Sequence, residues 1–377
     1  MGIKITIGGD FCVTSSFTSA DLFNKEIIDL FENSDINVIN MECPVIETGT
    51  QEKIKKNGPH LCTNDKVYNL LRKINIHAVT LANNHILDYG HNGLISTIKG
   101  CVKNGILTTG AGKNVKEASQ PVIVEKKGIR IALVNFCEHE FSIATKNRAG
   151  ANPLDLIDNL KEIKNARTLA DFVFVVIHGG HEHYNLPSPR MVKQYRFFAE
   201  NGADAVIGHH THCISGFETH KGVPIFYSLG NLLFTMPYNN ESWNYGLLVQ
   251  FEIEEGNSLK WKLIPTQQSI KDFHLSFCQG SNNSMIEEKI KYYNSIITQD
   301  NLLHNAWESY ARKMESQIIN DFSPINVIPG RYFRAILRRM GLNKIILRES
   351  YLIPLINLIE CESLYDLSKY VLNSNKK

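Results

Sequence analysis

Phe172-Val173-Phe174-Val175-Val176-Ile177-His178-Gly179-Gly180-His181-Glu182-His183-Tyr184 is a short apolar, β-branched run that ends abruptly in three histidines and a glutamate. Such a run, closed by a glycine pair, reads as a buried strand spanning roughly 171 to 178. Polar side chains clustered at a strand end occupy the place where open α/β sheets bind their ligands. Both the fold and the site therefore follow from asking whether the same arrangement recurs along the chain.

It does. Strand-like runs are expected at 3 to 8, 37 to 41, 77 to 82, 129 to 136, 204 to 208, 224 to 229, 246 to 254 and 259 to 265. Amphipathic stretches at 64 to 75, 91 to 104, 154 to 169 and 188 to 201 lie between several of them, and this alternation predicts an α/β sandwich. Past about residue 268 the strand-like runs stop. The stretches 284 to 298, 301 to 320 and 342 to 372 look helical, interrupted by Pro324 and Pro329-Gly330. The expected division is a sandwich domain over 1–267 and a C-terminal helical extension over 268–377.

The 377 residues carry 40 basic and 38 acidic side chains, so no global field marks a nucleic-acid or polyanion binder, and any binding site must be local. Eight cysteines at 12, 43, 62, 101, 137, 213, 278 and 361 stand singly, without a metal-type CxxC pair or the density of a disulfide-stapled module. That spacing fits a reducing cytoplasm. No apolar stretch reaches signal-peptide or membrane-span length, so membrane contact is expected to be peripheral at most.

Several other strand ends carry polar clusters. The run Ile3 to Ile7 leads into Gly8-Gly9-Asp10, where a carboxylate just past a glycine pair can face a cation, although Gly-Asp alone is an ordinary turn. Asn40 and Glu42 share one face of the strand that Pro44 stops, and a glutamate three residues after Ile39 calls for a partner. Asn83-Asn84-His85 with Asp88 follows the run Ala78 to Ala82. It suits an amide ligand beside a proton donor, or simply a helix cap. His210 and His212, two apart, can point the same way from an extended loop and chelate one or two metals. Tyr227 to Asn231 ends another strand near the same edge.

These segments, in this order, resemble the CapA family of bacterial capsule and poly-γ-glutamate biosynthesis proteins, over roughly residues 1 to 265. The family in turn looks like the calcineurin-type metallophosphoesterases and 5′-nucleotidases. The resemblance implies a four-layer α/β/β/α sandwich with one or two divalent ions at the sheet edge (Mn, Fe, Zn or Ca). It implies that Asp10 and His212 bind one ion, that Asn84, His178 and His210 bind the other, and that Glu42 bridges. His85 would protonate a leaving group or steady transition-state charge, while His181, Glu182, Arg190 and Asn231 are candidates for substrate contact. One departure stands out: where the phosphoesterase pattern has a histidine two after the aspartate, this chain has Cys12. That residue reads either as a recruited thiolate or as a small buried side chain.

The chemistry so implied is metal-dependent hydrolysis of a phosphate ester on an anionic small molecule or polymer, linked to capsule or poly-γ-glutamate synthesis. Two alternatives stay open: a non-catalytic polymer-handling subunit that meets capsule-assembly proteins, and a metal-dependent amidase for γ-glutamyl bonds. Arg331 to Met340 is a basic amphipathic stretch that suits anionic lipid or an assembly partner, or a helix that packs its apolar side inward.

Overall fold

The computed structural model describes residues 2–46, 52–254 and 258–360. Two compact units divide the chain, Met1–His304 and Asn305–Lys377.

The first unit is built on two large sheets. β1 (Ile3–Cys12), β2 (Ile36–Met41), β3 (Ala78–Thr80) and β4 (Leu107–Thr109) run parallel in one of them. A pair, β5 (Ala111–Gly112) and β8 (Gly150–Ala151), stands apart. The second sheet takes β6 (Val122–Lys126), β7 (Ile129–Cys137), β9 (Phe172–His178), β10 (Ala205–His209), β11 (Phe217–His220) and β12 (Val223–Phe226), in the order β11-β12-β10-β9-β7-β6. The first sheet is completed by β13 (Asn231–Phe234), β14 (Tyr245–Ile253), β15 (Leu259–Gln268) and β16 (Leu275–Phe277). Its order is β16-β15-β14-β1-β2-β3-β4, with β13 also paired to β1.

Strand alternation explains the layering. Val38 and Ile39 are consecutive and point to opposite faces. Val38 joins Ile5, Ile7, Leu133, Phe174 and Ile207 in a core between the two sheets. Ile39 joins a second core on the far face of the first sheet, beneath α1 (Lys25–Glu32), α2 (Val67–Lys73) and α3 (Gly90–Lys103), which contribute Phe31, Leu71 and Leu94. After the short α4 (Val115–Ala118), helices α5 (Leu156–Leu169) and α6 (Pro189–Glu200) pack on the outer face of the second sheet, where Phe136 meets Phe198 at 5.6 Å between ring centroids. Sequence sets the starts of both helices. Asp155 Oδ1 accepts from the amides of Ile157 and Asp158, and Ser188 Oγ from that of Met191, with Pro189 at the first turn. The expected four-layer α/β/β/α sandwich is the observed architecture.

The sandwich continues past the expected boundary at 267. β16 pairs antiparallel with β15, and α7 (Gly280–Ile297) buries Ile286 and Ile290 in the inter-sheet core. Leu275-Ser276-Phe277 holds no β-branched residue and so carries little strand signal, which is why the sequence reading ended the domain early. In the second unit, α8 (Asp300–Asp321), which begins in the first, is followed by α9 (Arg331–Arg339), α10 (Leu342–Ile346) and α11 (Glu349–Glu360). The expected helix from 342 to 372 is therefore broken at 347–348, and its part beyond 360 lies outside the described residues. Among the described residues, no helix is long and apolar enough to cross a membrane.

Candidate metal centre

Polar side chains gather where the carboxyl ends of β1, β2 and β3 meet those of β9 and β10. Gly9 is needed at this edge because a Cβ there would lie 1.9 Å from the carbonyl oxygen of Gly230, just before β13. The register of β1 against β2 shifts between Gly8 and Asp10, an irregularity that re-aims the side chain that follows it. Asp10 is thereby fully buried, with Oδ1 accepting from Asn40 Nδ2 at 2.7 Å and Oδ2 from the His210 amide at 3.0 Å.

Glu42 follows β2 and is also fully buried. Its Oε1 lies 3.4 Å from His212 Nε2 and 3.6 Å from His178 Nε2. His178 Nε2 is also 3.1 Å from Asn84 Oδ1 and 3.0 Å from His210 Nδ1. Two ligand sets result, Asp10-Glu42-His212 and Glu42-His178-His210, each with its donor atoms within 4.8 Å of one another. Asn84 adds an amide oxygen to the second. Glu42 belongs to both.

His210 and His212 do not leave the sheet as an extended loop. Their φ angles are +91° and +54°, backbone that side chains other than glycine rarely adopt, and a left-handed turn of this kind aims both rings back at the carboxylates. His212 Nδ1 sits 3.0 Å from Asn231 Oδ1, and Asn231 Nδ2 donates to the Trp243 carbonyl at 3.0 Å. Both ends of the Asn231 amide are thus engaged in holding His212.

The donor set fits divalent cations. Neither carboxylate oxygen of Glu42 has a hydrogen-bond partner among the described residues. Burial, with Asp10 close by, pushes the Glu42 carboxyl well above its ordinary 4.5. Burial likewise raises Asp10 to about 6, although the hydrogen bonds from Asn40 and His210 oppose the shift. Desolvation also drives the His178 and His212 imidazoles well below their usual range, with neighbouring histidines adding to the effect. Two buried carboxylates among neutral imidazoles form an expensive cluster unless a cation compensates the charge, and the neutral ring is the form that ligates.

Beside the cluster, His85 Nδ1 lies 2.7 Å from Asp88 Oδ2, which also accepts from the Leu61 amide at 2.7 Å. Lys56 closes this group. Its ammonium pairs with Asp88 Oδ1 and lies 3.1 Å from His85 Nδ1, and its side chain is only 3% exposed. The sequence reading missed Lys56 because a lone lysine in a polar segment carries no periodic signal, and its partners are about thirty residues away in sequence.

The remaining candidates lie outside the two ligand sets. The Arg190 guanidinium pairs with Glu138, whose Oε2 accepts from the Gly180 amide at 2.9 Å, so the fork is already occupied by a protein carboxylate. His181 is half-buried and Glu182 is exposed, its carboxylate 3.9 Å from His183 Nε2. Cys12 is buried with Cys43, Phe234 and Trp243. The neighbouring Cys43 and burial push the Cys12 thiol well above its ordinary value, so of its two readings the structure supports the small buried side chain.

The family model described as the bacterial capsule synthesis protein PGA_cap matches residues 4–236. The chain belongs to this family. It is 30% identical over 253 residues to the capsule biosynthesis protein CapA of Bacillus anthracis, covering 65% of this chain and 61% of that protein. It is 30% identical over 252 residues to the PGA biosynthesis protein CapA of Bacillus subtilis (strain 168), covering 65% of each. The chain thus spans less than two thirds of the length of these relatives. Among solved structures, a putative 5′-nucleotidase from Staphylococcus aureus aligns over 77% of this chain and 58% of its own, with 12% identity and a TM-score of 0.44. A hypothetical protein from Thermus thermophilus aligns over 70% of this chain and 99% of its own, with 12% identity and a TM-score of 0.43.

Proposed function

We propose that this protein is a metal-dependent hydrolase of a phosphate ester on an anionic small molecule or polymer, acting in capsule or poly-γ-glutamate synthesis. The observation that carries the reading is Glu42: buried, without a hydrogen-bond partner among the described residues, and common to two ligand sets. Asp10, Glu42 and His212 would hold one ion, and Glu42, Asn84, His178 and His210 a second. When bound, such ions lower the pKa of water and neutralise charge on a transferring phosphoryl group.

The protein's own groups supply the rest. Asp88 Oδ2 accepts from His85 Nδ1, so the imidazolium would give its Nε2 proton to the leaving-group oxygen as the P–O bond breaks and return to a neutral ring, while Lys56 pairs with Asp88. Asn40 and the His210 amide fix Asp10, and Asn231 fixes His212, so the ligands are held before anything binds. The link to capsule polymer rests on family membership and on the relatives' names, and a reducing cytoplasm on cysteines that are all free thiols among the described residues.

A polymer-handling role without turnover is the second reading. It is favoured by Cys12, which leaves the Asp10 set with three donors where the phosphoesterase pattern has a fourth. Assay of Mn-loaded protein against p-nitrophenyl phosphate, bis(p-nitrophenyl) phosphate and γ-glutamyl-p-nitroanilide separates the readings. Turnover of a phosphate ester that disappears in His178→Ala supports the proposal. Turnover of the γ-glutamyl amide alone replaces the bond assigned here, and no turnover by metal-loaded protein favours the polymer-handling role.

A further inference from the structure

The second unit carries a surface that the hydrolase reading leaves unused. From Phe322 to Arg348 the sequence holds six cationic residues, Arg331, Arg334, Arg338, Arg339, Lys344 and Arg348, and no acidic one. On α9, Tyr332, Phe333, Ile336, Leu337 and Met340 share one side of the helix at steps of one, three and four, and the arginines take the other. An isolated amphipathic helix on a protein normally turns its apolar side inward. Here the reverse holds.

Arg334 Nη1 donates to the Ile328 carbonyl at 3.0 Å and Arg338 Nη2 to Asn326 Oδ1 at 2.5 Å, so the arginine side faces the segment that precedes the helix. The apolar side faces out: Tyr332 is 74% exposed, Phe333 54%, Ile336 52% and Met340 68%. Ile345 on α10 and Ile353, Ile356 and Ile359 on α11 are exposed as well. An outward apolar stripe bordered by arginines, on a helix too short to span a bilayer, has the make-up of an element that lies in the headgroup layer. Aromatic and aliphatic side chains enter the acyl boundary while the exposed guanidinium groups of Arg331 and Arg339 reach lipid phosphates.

We propose that α9 and its flanking segment dock this protein peripherally on an anionic lipid surface. The absence of any acidic residue over the segment favours lipid over a protein partner, because protein interfaces deplete charge at their core and match it with the opposite sign.

The test is flotation of the full chain with vesicles of pure phosphatidylcholine and of equimolar phosphatidylcholine and phosphatidylglycerol. The protein should float with the anionic vesicles only, and added salt should weaken the binding. Arg331→Gln/Arg339→Gln should lower affinity about 25-fold, at about fivefold per arginine. Phe333→Gln/Ile336→Gln should lower it at least about tenfold, and circular dichroism should show parental helix content in both variants. The proposal is overturned by equal binding to both vesicle types, by no binding to either, or by binding that both double variants retain. It is equally overturned if the parent instead forms a dimer in solution that Phe333→Gln/Ile336→Gln dissolves, since the face is then a protein interface.

Discussion

Glu42 and Lys56 are the two side chains whose burial most needs an explanation, and each predicts a different outcome on substitution. Replacing Glu42 with glutamine removes a buried carboxylate whose neutral form is already favoured, so the metal-free protein should melt no lower than the parent. The same variant should lose the rise in Tm that divalent cations give the parent, and calorimetry with and without Mn checks both halves. Lys56→Met should behave in the opposite way. It leaves the buried Asp88 carboxylate without its cation, at a cost of about 3 kcal/mol in a denaturant titration. His85→Gln should leave metal content unchanged while lowering kcat for a phosphate ester by about 10²- to 10⁴-fold, the range for a lost general acid.

Elements place these residues, and two of them can be perturbed without replacing a ligand. Gly9→Ala drives a methyl group into the Gly230 carbonyl and should destabilise the protein by about 2 to 3 kcal/mol while displacing Asp10. On α5, burial raises the Glu162 carboxyl from 4.5 to about 7. The folded state therefore keeps this proton over a range in which the unfolded chain has released it. The stability that Glu162 contributes should fall as pH rises from about 4.5 to 7 and level off above. Glu162→Gln should remove that share of the slope, read as urea midpoints across the same range, and leave the share that the buried Asp10 and Glu42 carboxyls contribute. The long strands were legible because β-branched runs with clear ends, such as Ile3 to Ile7 and Phe172 to Ile177, carry their own signal. β13 (Asn231-Leu232-Leu233-Phe234) and β16 (Leu275-Ser276-Phe277) were not, since neither holds a β-branched residue. The histidine cluster was legible from strand-end spacing, whereas the left-handed turn at His210 and His212 reflects tertiary demand from buried carboxylates and has no local sequence cue.

For the molecule as a whole, the sandwich brings candidate ligands from two sheets to one edge, and the helical unit presents basic and apolar surface. Asp10, Glu42, Asn84, His178, His210 and His212 come from five strand ends spread over about two hundred residues, so a cation bound among them ties the two sheets together. Binding only to the folded state should raise stability by about 2.7 kcal/mol at a free-metal concentration a hundred times Kd. The most direct test of that account is metal stoichiometry by elemental analysis of Mn-equilibrated, desalted protein, comparing the parent with Glu42→Gln and His212→Ala. The shared-carboxylate arrangement predicts two ions per chain in the parent, one in His212→Ala and essentially none in Glu42→Gln; a Glu42→Gln protein that keeps the parent's metal content would contradict it.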